Sequence, residues 1–198
     1  MPREADGRGA TVFVVTGPSG AGKGTLIKRL LPEMPELELA VSATTREIRP
    51  GEQNGREYWF ISPEEFERRR NDGELLEWVD FPWGQRSGTL RSETGRIAGE
   101  GRTPVLELEL EGAERVKRRV PGSVTIFVDA PLEELERRLR DRATESAGEI
   151  EERLALAREQ KERAGEFDYV VVNDDVDRAV AEVAEIVERE LVGTLPKR

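Results

Sequence analysis

The chain has 198 residues, no cysteine, no histidine and a formal net charge of −10 at pH 7. That length suits one well-cored domain with a small insertion and is too short for two full ones. The composition excludes disulfide frameworks, Cys/His zinc sites, thiol nucleophiles and histidine general bases, and the acidic excess disfavours a nucleic-acid groove or an anionic membrane surface as main partner.

Residues 1–10 carry charges and glycines without the apolar run of a signal peptide, and read as a flexible leader. No later stretch has the length and apolarity of a membrane span, so a cytoplasmic protein is expected. Thr11–Thr16 reads as a strand, and Gly17-Pro18-Ser19-Gly20-Ala21-Gly22-Lys23-Gly24-Thr25 follows it directly, before a helical pattern from Leu26. A strand feeding a glycine loop into a helix is a phosphate cradle. Glycines let the backbone turn several N–H groups inward, the helix N-terminus adds its positive end, and Lys23 supplies a mobile cation. The plainer alternative is a glycine-rich turn with a surface lysine. The hydroxyl that usually follows the lysine is missing, because Gly24 stands there and Thr25 comes one residue later. A Mg²⁺ ion at this loop would therefore take Thr25 or a water as ligand.

From about 36 to 90 the rhythm breaks into short β-like pieces and turns, as an inserted subdomain would. Leu39–Ala43, Glu57–Ile61 and Leu75–Phe81 are the expected strands, with turns at Pro50-Gly51 and Asn54-Gly55 and a capping box at Ser62-Pro63-Glu64-Glu65. Arg46 and Arg49 flank a turn, where two guanidinium forks suit a doubly charged phosphate, or form merely a solvated turn. Glu77 sits among Leu75, Leu76, Trp78 and Val79, where a carboxylate should be partly buried and in need of donors; an outward-facing strand position would explain it too.

Thr103–Leu110, Val124–Val128 and Asp168–Val172 are further strands, each followed by helical periodicity, which predicts an α/β fold with a parallel sheet. Val105 to Glu111 alternates, so Glu107, Glu109 and Glu111 should share one strand face. In a doubly covered sheet such acids need a ligand or cation; on an edge strand they do not. Arg138 and Arg142 lie four apart on a helix, and Arg153 follows an irregular stretch. Alone they could simply complement a helix C-terminus. Asn173-Asp174-Asp175 precedes a final amphipathic helix through Val180, Val183, Val187 and Leu191, and could cap it.

The run from Val41 to Tyr58, V-S-A-T-T-R-E-I-R-P-G-E-Q-N-G-R-E-Y, closely resembles the acceptor-binding segment of guanylate kinases. The loop before it, and Leu76-Glu77-Trp78, Gly88-Thr89, the Arg138/Arg142 pair, Arg153 and Asn173-Asp174-Asp175 after it, follow in that family's order. The resemblance implies a P-loop three-layer fold: a core of 11–35 and 91–198, a GMP-binding subdomain at 36–90 and a lid at 141–150. It implies transfer of the γ-phosphoryl of ATP to GMP with Mg²⁺, and assembly into homo-oligomers stays open. By resemblance, the loop and Asn173 hold ATP, while Ser42, Arg46, Arg49 and Tyr58 hold the GMP phosphate. Glu77 and Thr89 would read guanine, whose N1–H and amino group adenine lacks. Glu107 and Glu109 would lie beside the acceptor, and Thr25 and Glu107 near the metal. Lys23, Arg46, Arg138, Arg142 and Arg153 would carry the catalytic charge. The family commonly has a tyrosine where this chain has Ser87, and Arg86 is expected to supply the missing phosphate contact. A phosphate acceptor needs no general base, since its second pKa is about 6. The rivals are a kinase of another small acceptor and a non-catalytic protein-binding module of the same fold.

Overall fold

The computed structural model describes residues 11–141 and 147–192 and builds them around two sheets. The larger is parallel throughout, with strand order β2 (Leu37–Leu39), β7 (Thr103–Glu107), β1 (Val12–Thr16), β8 (Ser123–Asp129) and β9 (Tyr169–Val172). Every residue of β1 is buried, and its side chains alternate between two cores. Phe13 and Val15 join Leu26, Ile27 and Leu30 of α1 (Lys23–Leu30), Leu135 and Leu139 of α5 (Leu132–Asp141), Leu154 of α6 (Ala147–Glu162) and Val183 of α7 (Val176–Val192). Val12 and Val14 join Ile97 of α3 (Arg91–Gly99), Ala113 and Val116 of α4 (Leu110–Arg119), and Phe127. A strand buried on both faces explains the unbroken apolar run. The expected three layers and parallel sheet are present.

The smaller sheet has the order β4 (Trp59–Phe60), β3 (Ala43–Thr44), β6 (Arg86–Leu90), β5 (Leu75–Asp80), closed over Phe66 of α2 (Pro63–Asn71). Ser62 caps α2 as expected, its Oγ accepting the Glu65 N–H at 3.1 Å, with Pro63 in the first turn. The reciprocal half of the box is absent, because the Glu65 carboxylate binds Arg68 and Arg69 instead.

Two strand expectations need correction. Leu39–Ala43 is not one strand: Leu37–Leu39 pairs with β7 in the large sheet, and Ala43–Thr44 pairs with β6 in the small one. The alternation from Val105 to Glu111 also misleads, since β7 ends at Glu107 and α4 begins at Leu110. β7 lies between β2 and β1, so an edge position does not explain its acids.

The edge strand β9 is fastened by Asp168. Its Oδ2 accepts the Thr125 hydroxyl at 2.6 Å and the Thr125 N–H at 2.9 Å, and Lys117 Nζ lies 2.9 Å from Oδ1. Burial alone would raise this carboxyl, but the Thr125 and Lys117 contacts outweigh it and hold the group below its ordinary value of 3.8. A depressed folded pKa stabilises above the unfolded value and loses that contribution as pH falls through the folded one. Asp168→Asn should therefore melt lower than the parent at pH 7, with the gap closing below pH 3.8, as thermal scans across that range would show. A gap independent of pH would mean that charge plays no part in the clasp.

Candidate active site

The glycine loop leaves β1 hard against the backbone of β8. Gly17 has φ +138°, and a Cβ there would stand 2.1 Å from the Val128 carbonyl oxygen, a backbone atom that cannot yield. Gly22, at φ +88°, is the residue before α1, and the Leu26 N–H donates back to its carbonyl at 3.0 Å. Lys23 Nζ folds over the loop and donates to the carbonyls of Gly17 (2.6 Å) and Pro18 (3.2 Å).

A loop that turns its N–H groups toward a ligand must turn carbonyls the other way, and buried carbonyls need donors. Asn173 Nδ2 donates to Ala21 O at 2.7 Å, and Arg138 NH1 lies 3.2 Å from Gly20 O and 3.3 Å from Ala21 O. Arg138 NH2 reaches Asn173 O at 3.2 Å, and its Nε is held by Glu134 at 2.8 Å. In this structure Arg138 braces the loop through its carbonyls, and Asn173, 2% exposed, is a buried clamp on Ala21. Capping of α7 falls to Asp175, whose Oδ1 accepts the Arg178 N–H at 2.9 Å. Arg153, from α6, does meet the loop, at 3.3 Å from Ser19 Oγ. Arg142 and positions 142–146 of the expected lid lie outside the described residues, as do the leader 1–10 and the last six residues.

A cleft of about 680 Å³ separates the loop from the small sheet. Ser19, Gly20, Gly22, Lys23, Gly24 and Thr25 form one wall; Ser42, Arg46, Arg49, Tyr58, Glu77 and Ser87 line the opposite side, with Glu107 and Glu109 at the floor. Most of the residues singled out in the sequence thus meet in one cavity. Arg46 lies 5.4 Å from the ring centroids of both Tyr58 and Phe60, and its fork is engaged by Glu52 at 2.8 and 3.0 Å. Glu52 also accepts the Arg49 backbone N–H at 2.8 Å, and the Arg46 hydrogen bond holds its carboxyl below the usual range. Burial raises the Tyr58 phenol, and Glu107 adds to the shift.

Glu77 is 2% exposed, on β5 and directly opposite Thr89 on β6. Thr89 Oγ1 donates to its Oε1 at 2.8 Å. Burial pushes the Glu77 carboxyl up, while the Thr89 hydroxyl and amide and Arg115 pull it back. Glu107 is likewise raised by burial and drawn down by Lys23. A Cβ on Gly24 would stand 3.3 Å from Glu107 Oε2, so the glycine gives that carboxylate room beside the loop. Glu109 precedes α4, whereas Glu111 points outward from its first turn, near Arg115.

Arg86 is a correction. Alternation along β6 sends Ser87 and Thr89 toward the cleft side and Arg86 away, where it binds Asp80 (3.1 Å) and Glu67 (3.3 Å). Ser87 Oγ donates to Ala43 O at 3.2 Å, so nothing described substitutes for a phenol at this place. Arg86→Ala should leave the GMP KM within about twofold, the usual size of a surface change, whereas Ser87→Tyr should lower it. Steady-state kinetics on the two variants would check this, and a large rise for Arg86→Ala would restore Arg86 to the site.

Sequence reasoning missed Glu52, although a carboxylate six residues from Arg46 and three from Arg49 was there to be paired. It also missed the rim pair Phe81 and Trp83, stacked at 4.9 Å with 13° between planes, Trp83 being 67% exposed. Two aromatics flanking Pro82 in a hairpin were the available signal.

A phosphate cradle at the C-terminal end of a parallel sheet, facing an inserted antiparallel hairpin across one cleft, defines a P-loop kinase of small acceptors. The family model for guanylate kinase matches residues 9–190, and the chain belongs to that family. It is 48% identical over 96% of its length to the guanylate kinase of Rubrobacter xylanophilus, covering 99% of that relative. It is 48% identical to that of Parasynechococcus marenigrum, over 86% of this chain and 93% of the relative. Among solved structures, the guanylate kinase of Anaplasma phagocytophilum superposes with a TM-score of 0.73 at 27% identity, over 92% of this chain and 87% of that one.

Proposed function

We propose that this chain performs its family's reaction, transfer of the γ-phosphoryl of ATP to GMP giving ADP and GDP, with the residues of the cleft in the following roles. The observation that carries the reading is that the glycine loop with Lys23, the buried carboxylate of Glu77 and the side chains of Arg46 and Arg49 open onto the same cavity. ATP phosphates lie on the loop of 17–25, and Lys23 exchanges its bonds to Gly17 and Pro18 for donor phosphate oxygens. Ser42, Arg46, Arg49 and Tyr58 hold the acceptor phosphate, and Glu77 with Thr89 accepts from and orients the guanine edge. Arg153, beside Ser19, adds charge at the loop, and Arg138 serves by fixing the loop's shape. Residues 36–90 supply the acceptor side and 141–150 the lid.

The acceptor phosphate oxygen is itself the nucleophile and is ionised at neutral pH, its second pKa being about 6. No histidine or other base is needed, and the catalytic demand is alignment and positive charge. The donor set fits Mg²⁺. Only oxygens are offered, from Thr25 and Glu107, and the described residues hold no cluster of three or more ligating acids, so water and phosphate would complete the shell. Thr25 and Glu107 would hold such an ion beside the loop, where it would supply positive charge against the donor phosphates. No helix among the described residues is long and apolar enough to cross a membrane, which accords with work on soluble nucleotides in the cytoplasm.

A coupled assay of ADP formation tests the reading with GMP, AMP and UMP as acceptors. GMP should be preferred strongly, because a site built to bind donors rejects an analogue lacking them by about 10⁴ or more. Equal use of AMP would overturn the assignment of the base site. No ADP with any acceptor would favour a binding module instead.

A further inference from the structure

The carboxylate of Glu77 stands where a side chain of α4 would otherwise be. Gly112 is buried in the first turn of that helix, and a Cβ placed on it would lie 2.7 Å from Glu77 Oε2 and 3.4 Å from Glu77 Cδ. Real Cβ atoms do not approach an oxygen so closely, so either the carboxylate or the helix would have to move. The helix is not free to do so. Arg115, three residues further along α4, donates to the Trp78 carbonyl and packs its guanidinium 5.2 Å over the Trp78 ring, tying α4 to β5 beside Glu77. Ala113 and Val116 are fully buried in the core beneath the large sheet. Glu77 is pinned from the other side, with Thr89 opposite it in the β5–β6 register and bonded to Oε1. Oε2 is the atom that must yield.

Glycine in a helix is ordinarily a loss relative to alanine, and Gly112 shows no positive φ that would require it. What it supplies is space. A carboxylate over the first turn of a ten-residue helix also sits at the positive end of that helix, which favours its ionised form against the cost of burial. We infer that Gly112 is a positioning residue for base recognition: its missing side chain and the helix start it belongs to fix where the second oxygen of Glu77 meets the guanine edge. The inference rests on the assignment of Glu77 to guanine. It adds a determinant on a different element, one that touches no nucleotide. Two donors on one base edge need two acceptor oxygens at set places, and rotating the carboxylate about its Thr89-held oxygen spoils one contact while leaving the other.

The test is Gly112→Ala, read by steady-state kinetics and thermal melting, with Glu77→Gln and the double variant completing a cycle. Gly112→Ala should raise the GMP KM about tenfold or more, the scale of one hydrogen bond to a charged group, with the ATP KM within twofold. Its melting temperature should stay close to the parent's, because alanine's better helix propensity offsets the cost of displacing Oε2. In the Glu77→Gln background the same change should add nothing to the GMP KM, since the contact it disturbs is already gone. Unaltered GMP kinetics in Gly112→Ala, or effects of the two changes that simply multiply, would overturn the inference while leaving Glu77 as the reader. A Glu77→Gln variant with no selective effect on GMP would overturn both. Should Gly112→Ala fail to fold, Gly112→Ala with Glu77→Ala removes the obstructing carboxylate. Recovery of the folded chain then supports the contact, and no recovery rejects it.

Discussion

Replacing Lys23 by methionine should lower turnover about a thousandfold or more, equivalent to about 4 kcal/mol of transition-state stabilisation, in a chain that still folds. Methionine keeps the length and apolar stem of the side chain while removing the ammonium. That ammonium contacts Gly17 O and Pro18 O, carbonyls of the very loop that would hold the donor phosphates. It is thus already within reach of the phosphates and needs only to exchange partners. The Gly20 and Ala21 end of the loop keeps its shape without it, because Asn173 and Arg138 hold those carbonyls. Single-turnover ADP formation with a circular-dichroism melt would check the expectation. A folded variant keeping more than about a tenth of the parent rate would show that the transferring group draws its charge from elsewhere.

The second large effect belongs to Glu77→Gln. The amide occupies the same volume and can still accept from Thr89, but it presents N–H groups to a base edge that also presents N–H groups. One charge-assisted bond, about 1.5–3 kcal/mol, is lost, so the GMP KM should rise about ten- to a hundredfold while that of ATP stays put. The pH profile separates this role from a structural one. Burial raises the Glu77 carboxyl, and its neutral form accepts poorly, so GMP affinity should fall as pH drops through that raised value. The phosphate's own ionisation near about 6 is shared by both proteins, and the difference between their profiles isolates the carboxyl. Parallel profiles, or equal losses for ATP and GMP, would remove Glu77 from the base.

The parts legible in the sequence were those whose physics is local. A strand, a loop with glycines at 17, 20 and 22, and a following helix announce themselves within fifteen residues, and so does the Ser62 cap. The apolar surroundings of Glu77 likewise gave its burial. Features set by register or by distant partners were not readable. β6 carries Arg86-Ser87-Gly88-Thr89-Leu90, with no apolar alternation to betray a strand, because its buried positions are consecutive, Gly88, Thr89 facing Glu77, and Leu90. Without that strand there was no parity to tell that Arg86 points away from Ser87. The Glu107-Leu108-Glu109-Leu110 run has the period of a strand, yet Leu108 and Leu110 reach the same core through a strand end and a helix start. The roles of Arg138 and Asn173 depend on carbonyls more than a hundred residues away. Gly112 carries its meaning entirely in what stands opposite it.

The order of strands in the large sheet has a bearing on how such a chain is made. β1, the first strand among the described residues, lies in the middle, and its two neighbours begin at residues 103 and 123. Its brace comes later still, from Arg138 and Asn173. A growing chain therefore carries the complete loop of 17–25 long before any strand can pair beside it, and its earliest apolar segment waits while more than half the protein is assembled. Non-local pairing of this kind slows folding and leaves apolar segments open to wrong partners meanwhile. The small sheet, whose strands all lie between residues 43 and 90, is under no such delay and can close on Phe66 while the ribosome is still at work on the rest.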